Sequence, residues 1–371
     1  MQLNTPFTPP QRLLLGPGPS NAAPTVLEAL GKPLLGHLDP VFVGMMEEIK
    51  AMLREVFQTK NEMTFPVSGT GSAGMEFCFV NLIEPGDEVL IGVNGVFGTR
   101  MCDVAERCGA VVHRVESPWG EIIHPEQIKT ALKDIKPKLV AIVHAETSTG
   151  ALTPLEEISR AVHEAGALFL VDTVTSLGGC PVKVDEWQID AIYSGTQKCL
   201  SCPPGLAPVS LSPAALEIAT SRKTKVQSWY LDVNFLAAYW GETRVYHHTA
   251  PISMNYALHE SLRLILNEGL EARWKRHEAN HQRLKAGLSE LGLGIASQEG
   301  HQLWQLNAVT VPDGVSESEI REALLNDYSI EVGAGLGPLK GKVWRVGLMG
   351  ESSQSEHVDR FLDAMKTLLK K

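Results

Sequence analysis

At 371 residues, of which 44% are hydrophobic and 20% charged, the chain is too apolar for intrinsic disorder and long enough for two packed units. Its formal net charge is −10, with lysines and arginines scattered rather than clustered, which excludes the basic footprint of a nucleic-acid binder and points to a small-molecule partner. No run of about 18 apolar residues and no secretory leader pattern occurs, so a cytoplasmic home is expected, with an organelle matrix left open.

The first residues, "TPFTPP" and "LGPGPSNAAP", lack periodicity and read as an extended arm over residues 1–20. Next, "VGMMEEIKAMLREVFQ" places Met45, Ile49, Met52, Leu53 and Val56 on one helical face with charges opposite. From Met63 to about Ser212, short apolar runs alternate with amphipathic segments: "MTFPV", "EVLIGV", "AVVHRV", "KLVAIVHA", "LFLVD", "DAIYSG" and "LAPVSLS". Runs apolar at nearly every position predict strands buried on both faces of a mostly parallel sheet, hence an α/β fold. Beyond Tyr256 the chain turns helical through "ALHESLRLILNEGLEARWKRHEANHQRLKAGLSELG", interrupted by one glycine, and ends in short strands and a closing helix. The expected division is an arm (1–20), a large domain (21–258) and a smaller α+β domain (259–371) that includes the linking helix.

Six cysteines (Cys78, Cys102, Cys108, Cys180, Cys199, Cys202) without framework spacing read as reduced thiols. "CLSC", Cys199 to Cys202, has no second pair to complete the four ligands of a structural zinc, so no metal is assigned.

In an open parallel sheet, ligands bind where strands end, and here four ends carry chemistry. "SGTGSAGMEF" runs a strand into a glycine-rich turn and a helix start, whose free amides around Thr70, Gly71 and Ser72 suit a phosphate. Taken alone it is as well read as a tight turn, and it is no P-loop. Asp172 ends the apolar run "LFLVD", a desolvated place for a carboxylate unless a cation or strong donors meet it; capping the next turn is the plainer reading. "VHAETSTG" supplies Thr147, Ser148 and Thr149, hydroxyls that close turns or donate to a ligand. Lys198 follows "DAIYSG", and a lysine in such a loop is ordinarily solvated. A sheltered amine beside a phosphate cradle and a buried anion is, however, what pyridoxal phosphate requires: an aldehyde-binding lysine, an anchor and a partner for the ring nitrogen.

At these residues the sequence resembles the class V aminotransferases of the fold-type I pyridoxal-phosphate superfamily, within it the alanine–glyoxylate, serine–pyruvate and serine–glyoxylate group. The resemblance runs through "LLLGPGPSN", "SGTGSAGME", "EPGDEVLIGVNGVFG", "HAETSTG", "LVDTVTSLGG", "YSGTQK", "YHHTAP", "GLEARWKRH" and "VWRVGLMG". It implies a large domain with a mostly parallel seven-stranded sheet and a smaller C-terminal domain. It also implies that Lys198 forms the Schiff base and moves the substrate proton, and that Asp172 keeps the pyridinium protonated. Thr70, Gly71, Ser72 and Gln197 would hold the phosphate, Thr147 the ring hydroxyl, and Val174 would pack beneath the ring. Tyr246 and Thr249 would reach the phosphate from the other subunit of a homodimer. Arg345 would clamp the substrate carboxylate, with Thr147 and the arm at Gly18 and Pro19 beside it.

Two positions depart from the family pattern: Phe97 stands where relatives often carry a stacking tryptophan, and Ser72 where they often carry histidine. The expected reaction moves an amino group from alanine or serine to glyoxylate or pyruvate. A related class V activity on 2-aminoethylphosphonate stays open. Desulfuration does not fit, since no cysteine follows Cys202. A non-catalytic dinucleotide binder using "SGTGSAG" would leave Lys198, Asp172 and Arg345 without a role.

Overall fold

The computed structural model describes residues 6–369; the first five residues of the expected arm and the last two of the closing helix lie outside that range. Seven strands form the central sheet: β1 (Met63–Ser68), β2 (Glu88–Val93), β3 (Val111–Glu116), β4 (Leu139–Val143), β5 (Leu168–Asp172), β6 (Ala191–Tyr193) and β7 (Leu206–Leu211). Their spatial order is β1-β7-β6-β5-β4-β2-β3. β7 runs antiparallel to both of its neighbours, and the remaining pairs are parallel.

The apolar runs read from the sequence are these strands, and burial explains them. Alternate residues of one strand feed two different cores: Leu139, Ala141, Leu168 and Leu170 pack on one side of the sheet, while Val140, Ile142, Phe169 and Val171 pack on the other. A sheet covered on both faces leaves no polar face to alternate with. β3 is the exception: at one edge of the sheet it has several exposed positions along its length, whereas β1 at the other edge is covered.

The helix read near Met45 is Pro40–Phe57, started by Asp39, whose carboxylate accepts the Val41 amide at 2.8 Å. Its buried stripe runs through Phe42, Met46, Ile49, Leu53 and Val56. Met45 and Met52 flank that stripe partly buried, so the inward face is turned slightly from the one expected.

The long helical stretch is two helices. Ile252–Glu268 ends at Gly269, which adopts φ 81°, and Leu270–Glu290 begins immediately after it. The first buries Leu258, Leu262 and Ile265 in the core of the large sheet. The second contributes Leu284 and Leu288 to a separate core with Trp344, Val346 and Phe361. That core covers a three-stranded antiparallel sheet in which β10 (Val343–Gly347) lies between β8 (Leu306–Thr310) and β9 (Gly333–Ala334).

The expected extended arm is stitched into this second body. Leu13–Leu14 pairs in parallel with Ile330–Glu331, and the Leu15 carbonyl accepts the Gly347 amide at 2.8 Å. Farther along, the Ser20 amide donates to the Gln197 carbonyl and its hydroxyl to the Lys198 carbonyl, both at 2.9 Å. The arm therefore links the C-terminal sheet to the loop that carries Lys198. No helix among the described residues is long and apolar enough to cross a membrane.

Candidate active site

The carboxyl ends of β1, β2, β4, β5 and β6 converge on one cavity of about 200 Å³. Thr70, Gly71, Ser72, Phe97, Thr147, Asp172, Val174, Gln197 and Lys198 all line it. Residues separated by more than a hundred positions meet there because parallel strands deliver all their carboxyl ends to one edge of the sheet.

Thr70 is the N-cap of the helix Gly71–Leu82, yet its side chain makes no capping bond and faces the cavity instead. A Cβ on Gly71 would sit 3.2 Å from Val174 Cγ2. One on Gly195 would sit 2.9 Å from Gln197 Oε1 and 3.4 Å from Gly71 Cα. The glycines thus let two loops close on each other at the head of a helix, where backbone donors favour an anion.

Asp172 is 5% exposed. Its Oδ1 accepts the Val174 amide at 2.8 Å and its Oδ2 the Tyr193 hydroxyl at 2.7 Å. Burial pushes the carboxyl up to about 6, against the pull of those two donors and of the Lys198 and Arg100 charges. Across the cavity, Lys198 Nζ donates to the Pro17 carbonyl. Burial first, and the Arg345 charge second, push the amine down to about 8. Gly18, at φ 102°, leaves the space the lysine occupies, since a Cβ there would lie 2.5 Å from Nζ. The arm therefore packs directly against the Lys198 side chain at Gly18.

Arg345 arrives from β10 on the second body. It is 8% exposed, donates Nε to the Ala334 carbonyl at 2.7 Å and Nη1 to the Thr147 carbonyl at 3.3 Å. Tyr246 and Thr249 do not join the cavity of their own chain. Tyr246 is 59% exposed, with its ring centroid 5.1 Å from that of His37, and Thr249 is exposed as well.

Several residues of the site were not singled out in the sequence. Glu146 is fully buried behind the cavity, where it accepts the Phe97 amide at 3.1 Å and the Ser148 hydroxyl at 2.6 Å. It thereby fixes the start of the helix that carries Phe97. Arg100 lines the cavity and places its guanidinium 4.8 Å from the Phe97 ring centroid. Arg273, 5% exposed, donates to the Cys199 carbonyl at 2.6 Å and the Gly178 carbonyl at 3.0 Å, with Glu268 as its counter-ion at 2.6 Å. It pins the residue after Lys198 to the helix Leu270–Glu290. The six cysteines are free and buried, and burial raises the Cys199 thiol to about 12, which keeps it protonated and unreactive.

Residues 14–361 match the sequence profile of the family described as aminotransferase class-V. The chain belongs to the class V aminotransferases. It is 41% identical to the (S)-ureidoglycine–glyoxylate transaminase of Bacillus subtilis, over 97% of this chain and 91% of that protein. It is 42% identical to the alanine–glyoxylate aminotransferase of Mus musculus, over 99% of this chain and 90% of that protein. The crystal structure of an alanine–glyoxylate aminotransferase from Nostoc sp. superposes with a TM-score of 0.98 at 51% identity, covering 100% of this chain and 98% of that one.

This class V aminotransferase has the fold-type I architecture and is a pyridoxal-phosphate-dependent transaminase. The cavity fits that cofactor on its own terms. A cradle closed by glycines faces a helix start, and among the described residues nothing pairs with the buried Gln197 amide oxygen, an amide whose other end donates to an anion when the group is turned over. A buried polar end left unpaired is costly unless a ligand meets it. Lysine and aspartate supply the remaining donor set.

Proposed function

We propose that this transaminase moves the amino group of a small L-amino acid, alanine or serine, to glyoxylate or pyruvate. The observation that carries the reading is the buried guanidinium of Arg345, held between the Ala334 carbonyl and the carbonyl of Thr147, which lines the Lys198 cavity. A planar fork of donors there suits a single α-carboxylate. Of the two acceptors, glyoxylate is favoured, since it appears in the names of both relatives, whose amino donors differ.

The residues divide the work. Pyridoxal phosphate, when bound, supplies an aldehyde carbon that takes the amino group and a ring that withdraws electrons from it. Thr70, Gly71, Ser72 and Gln197 hold the phosphate at the helix start. Asp172 accepts from the ring nitrogen and keeps it protonated. Thr147 would meet the ring hydroxyl, and Val174 and Phe97 would pack against the ring. Lys198 would hold the aldehyde through its amine and, with that amine free, would be the base that takes the proton from the substrate α-carbon. Burial brings its amine down to about 8, so it is partly neutral near neutral pH, as a nucleophile and base must be. Gly18 and the adjacent arm close the cavity over the lysine and exclude water.

The same reading makes the active unit a homodimer. Trp229, Tyr230, Phe235, Val245 and Tyr246 form an exposed apolar rim, with Trp229 61% and Tyr246 59% exposed. A patch of that kind marks an interaction surface. A second copy covering it would bring the partner's Tyr246 and Thr249 to the phosphate end of each cavity.

The test is a half-reaction panel on the purified protein loaded with pyridoxal phosphate. Alanine, serine, ureidoglycine and 2-aminoethylphosphonate are offered as donors and the loss of cofactor absorbance is followed. Glyoxylate and pyruvate are then offered to the aminated form. Fastest bleaching by alanine or serine and fastest recovery with glyoxylate support the proposal. Fastest bleaching by the phosphonate overturns it.

A further inference from the structure

Tyr193 opens the stretch "YSGTQK" that ends in Lys198 but has no part in the division of work above, yet it lines the cavity and is 1% exposed. Its position follows from strand register. β5 and β6 are parallel neighbours in which Asp172 and Tyr193 are direct partners. Asp172 also shares the parity of Leu168 and Leu170, so carboxylate and phenol project from the same face of the sheet. The phenol donates to Asp172 Oδ2 at 2.7 Å, while Oδ1 takes the Val174 amide. Each carboxylate oxygen therefore has one donor from the protein and keeps acceptor capacity toward the cavity.

We propose that Tyr193 is a positioning residue for the cofactor: its hydroxyl orients the Asp172 carboxylate and holds it ionised, so that the proton shared with the ring nitrogen stays on the ring. This rests on the reading that Asp172 faces the ring nitrogen. A proton between two bases goes to the stronger one, and a donor to the carboxylate weakens its basicity. The need for such a donor is written in the surroundings of Asp172. Burial works against its charge, and the Glu146 carboxyl, itself pushed up by burial, lies within electrostatic reach of it. Lys198 and Arg100 face it as cations, and the buried Cys78 thiol beside it stays neutral. Besides those cations, two hydrogen-bond donors reach the carboxylate among the described residues, the Val174 amide and the Tyr193 phenol. Of the donors, only the phenol is a side chain.

The experiment compares wild type with Tyr193→Phe and Asp172→Asn, each loaded with ring-¹⁵N pyridoxal phosphate and, separately, with the 1-deaza analogue that lacks the ring nitrogen. The phenylalanine fills the same space, and an unchanged melting temperature confirms folding. In Tyr193→Phe the ¹⁵N resonance is expected to move toward the unprotonated ring. The acid limb of the kcat profile should rise by about one pH unit, and turnover should fall by about tenfold or more. With the deaza analogue, Tyr193→Phe and wild type should be equally slow. An unmoved ¹⁵N resonance, or an equal loss with both cofactors, makes Tyr193 a packing residue and overturns the inference. A wild type that turns over as fast with the deaza analogue as with pyridoxal phosphate, together with a fully active Asp172→Asn, overturns instead the role given to Asp172.

Discussion

The cavity and the aromatic rim treat polar and apolar groups in opposite ways. Around the cavity, a single chain supplies nearly every partner: Asp172 has its two donors, Glu146 its serine and backbone amides, and Arg345 its carbonyls. At the rim, Trp229 stacks on His247 with centroids 4.5 Å apart and Tyr246 tilts onto His37, yet both, like Tyr230, Phe235 and Val245, stay exposed. The first region is preorganised, and the second is the surface proposed above for a second copy. Catalytic geometry is best held by rigid strand ends, whereas cofactor retention can be shared with a neighbouring copy.

Removing the amine tests the first region most severely. Lys198→Ala should lower turnover by about 10⁴-fold and remove the borohydride-dependent mass increase of the loaded protein, read by intact mass spectrometry. Arg345→Lys keeps the charge but loses the fork. It should raise KM for the amino donor by about tenfold or more with a smaller change in kcat, read from steady-state kinetics. The rim should respond differently. Tyr246→Phe with Thr249→Ala should weaken cofactor affinity by about tenfold, most visibly on dilution, in equilibrium dialysis combined with sedimentation. If those changes act equally on monomer and dimer, the contrast between the regions fails. The pH dependence sharpens the comparison from the cavity side. The amine is held down to about 8, so the neutral, nucleophilic form is populated as pH rises. The rate of cofactor loading into apoprotein should climb from pH 6 and level off above pH 8 in stopped-flow absorbance, whereas an unperturbed lysine would keep climbing. The smallest effect is expected from Phe97→Trp, whose larger ring should tighten cofactor binding by about 1 kcal/mol, measured by titration.

The seven sheet strands were legible because a sheet covered on both sides leaves an unbroken apolar run, and because the strand ends carry Thr70, Thr147, Asp172 and Lys198 in sequence order. The break at Gly269 was not legible as a division. One glycine costs a helix only about 1 kcal/mol, so periodicity alone does not distinguish a bridge from a corner. Tyr193 was hidden for another reason: its partner lies 21 positions away, and only the register of β5 against β6 joins them. Glu146 sat inside a quoted motif, but its value lies in accepting the amide of Phe97, 49 positions earlier. Arg273 read as one more charge on a helix, and its carbonyl partners cannot be inferred from helical spacing. Side chains that act on the ligand announce themselves by type and place, while those that act on other side chains do so only through tertiary pairing.

The arm has a mechanical meaning. Leu13 and Leu15 are sewn to the C-terminal sheet and Ser20 to the backbone on either side of Lys198, so residues 13–20 form a short tether between the strand of Arg345 and the reacting amine. The strand of Arg345 and the loop of Lys198 are thereby joined through one short run of backbone, a connection that does not pass through the cavity.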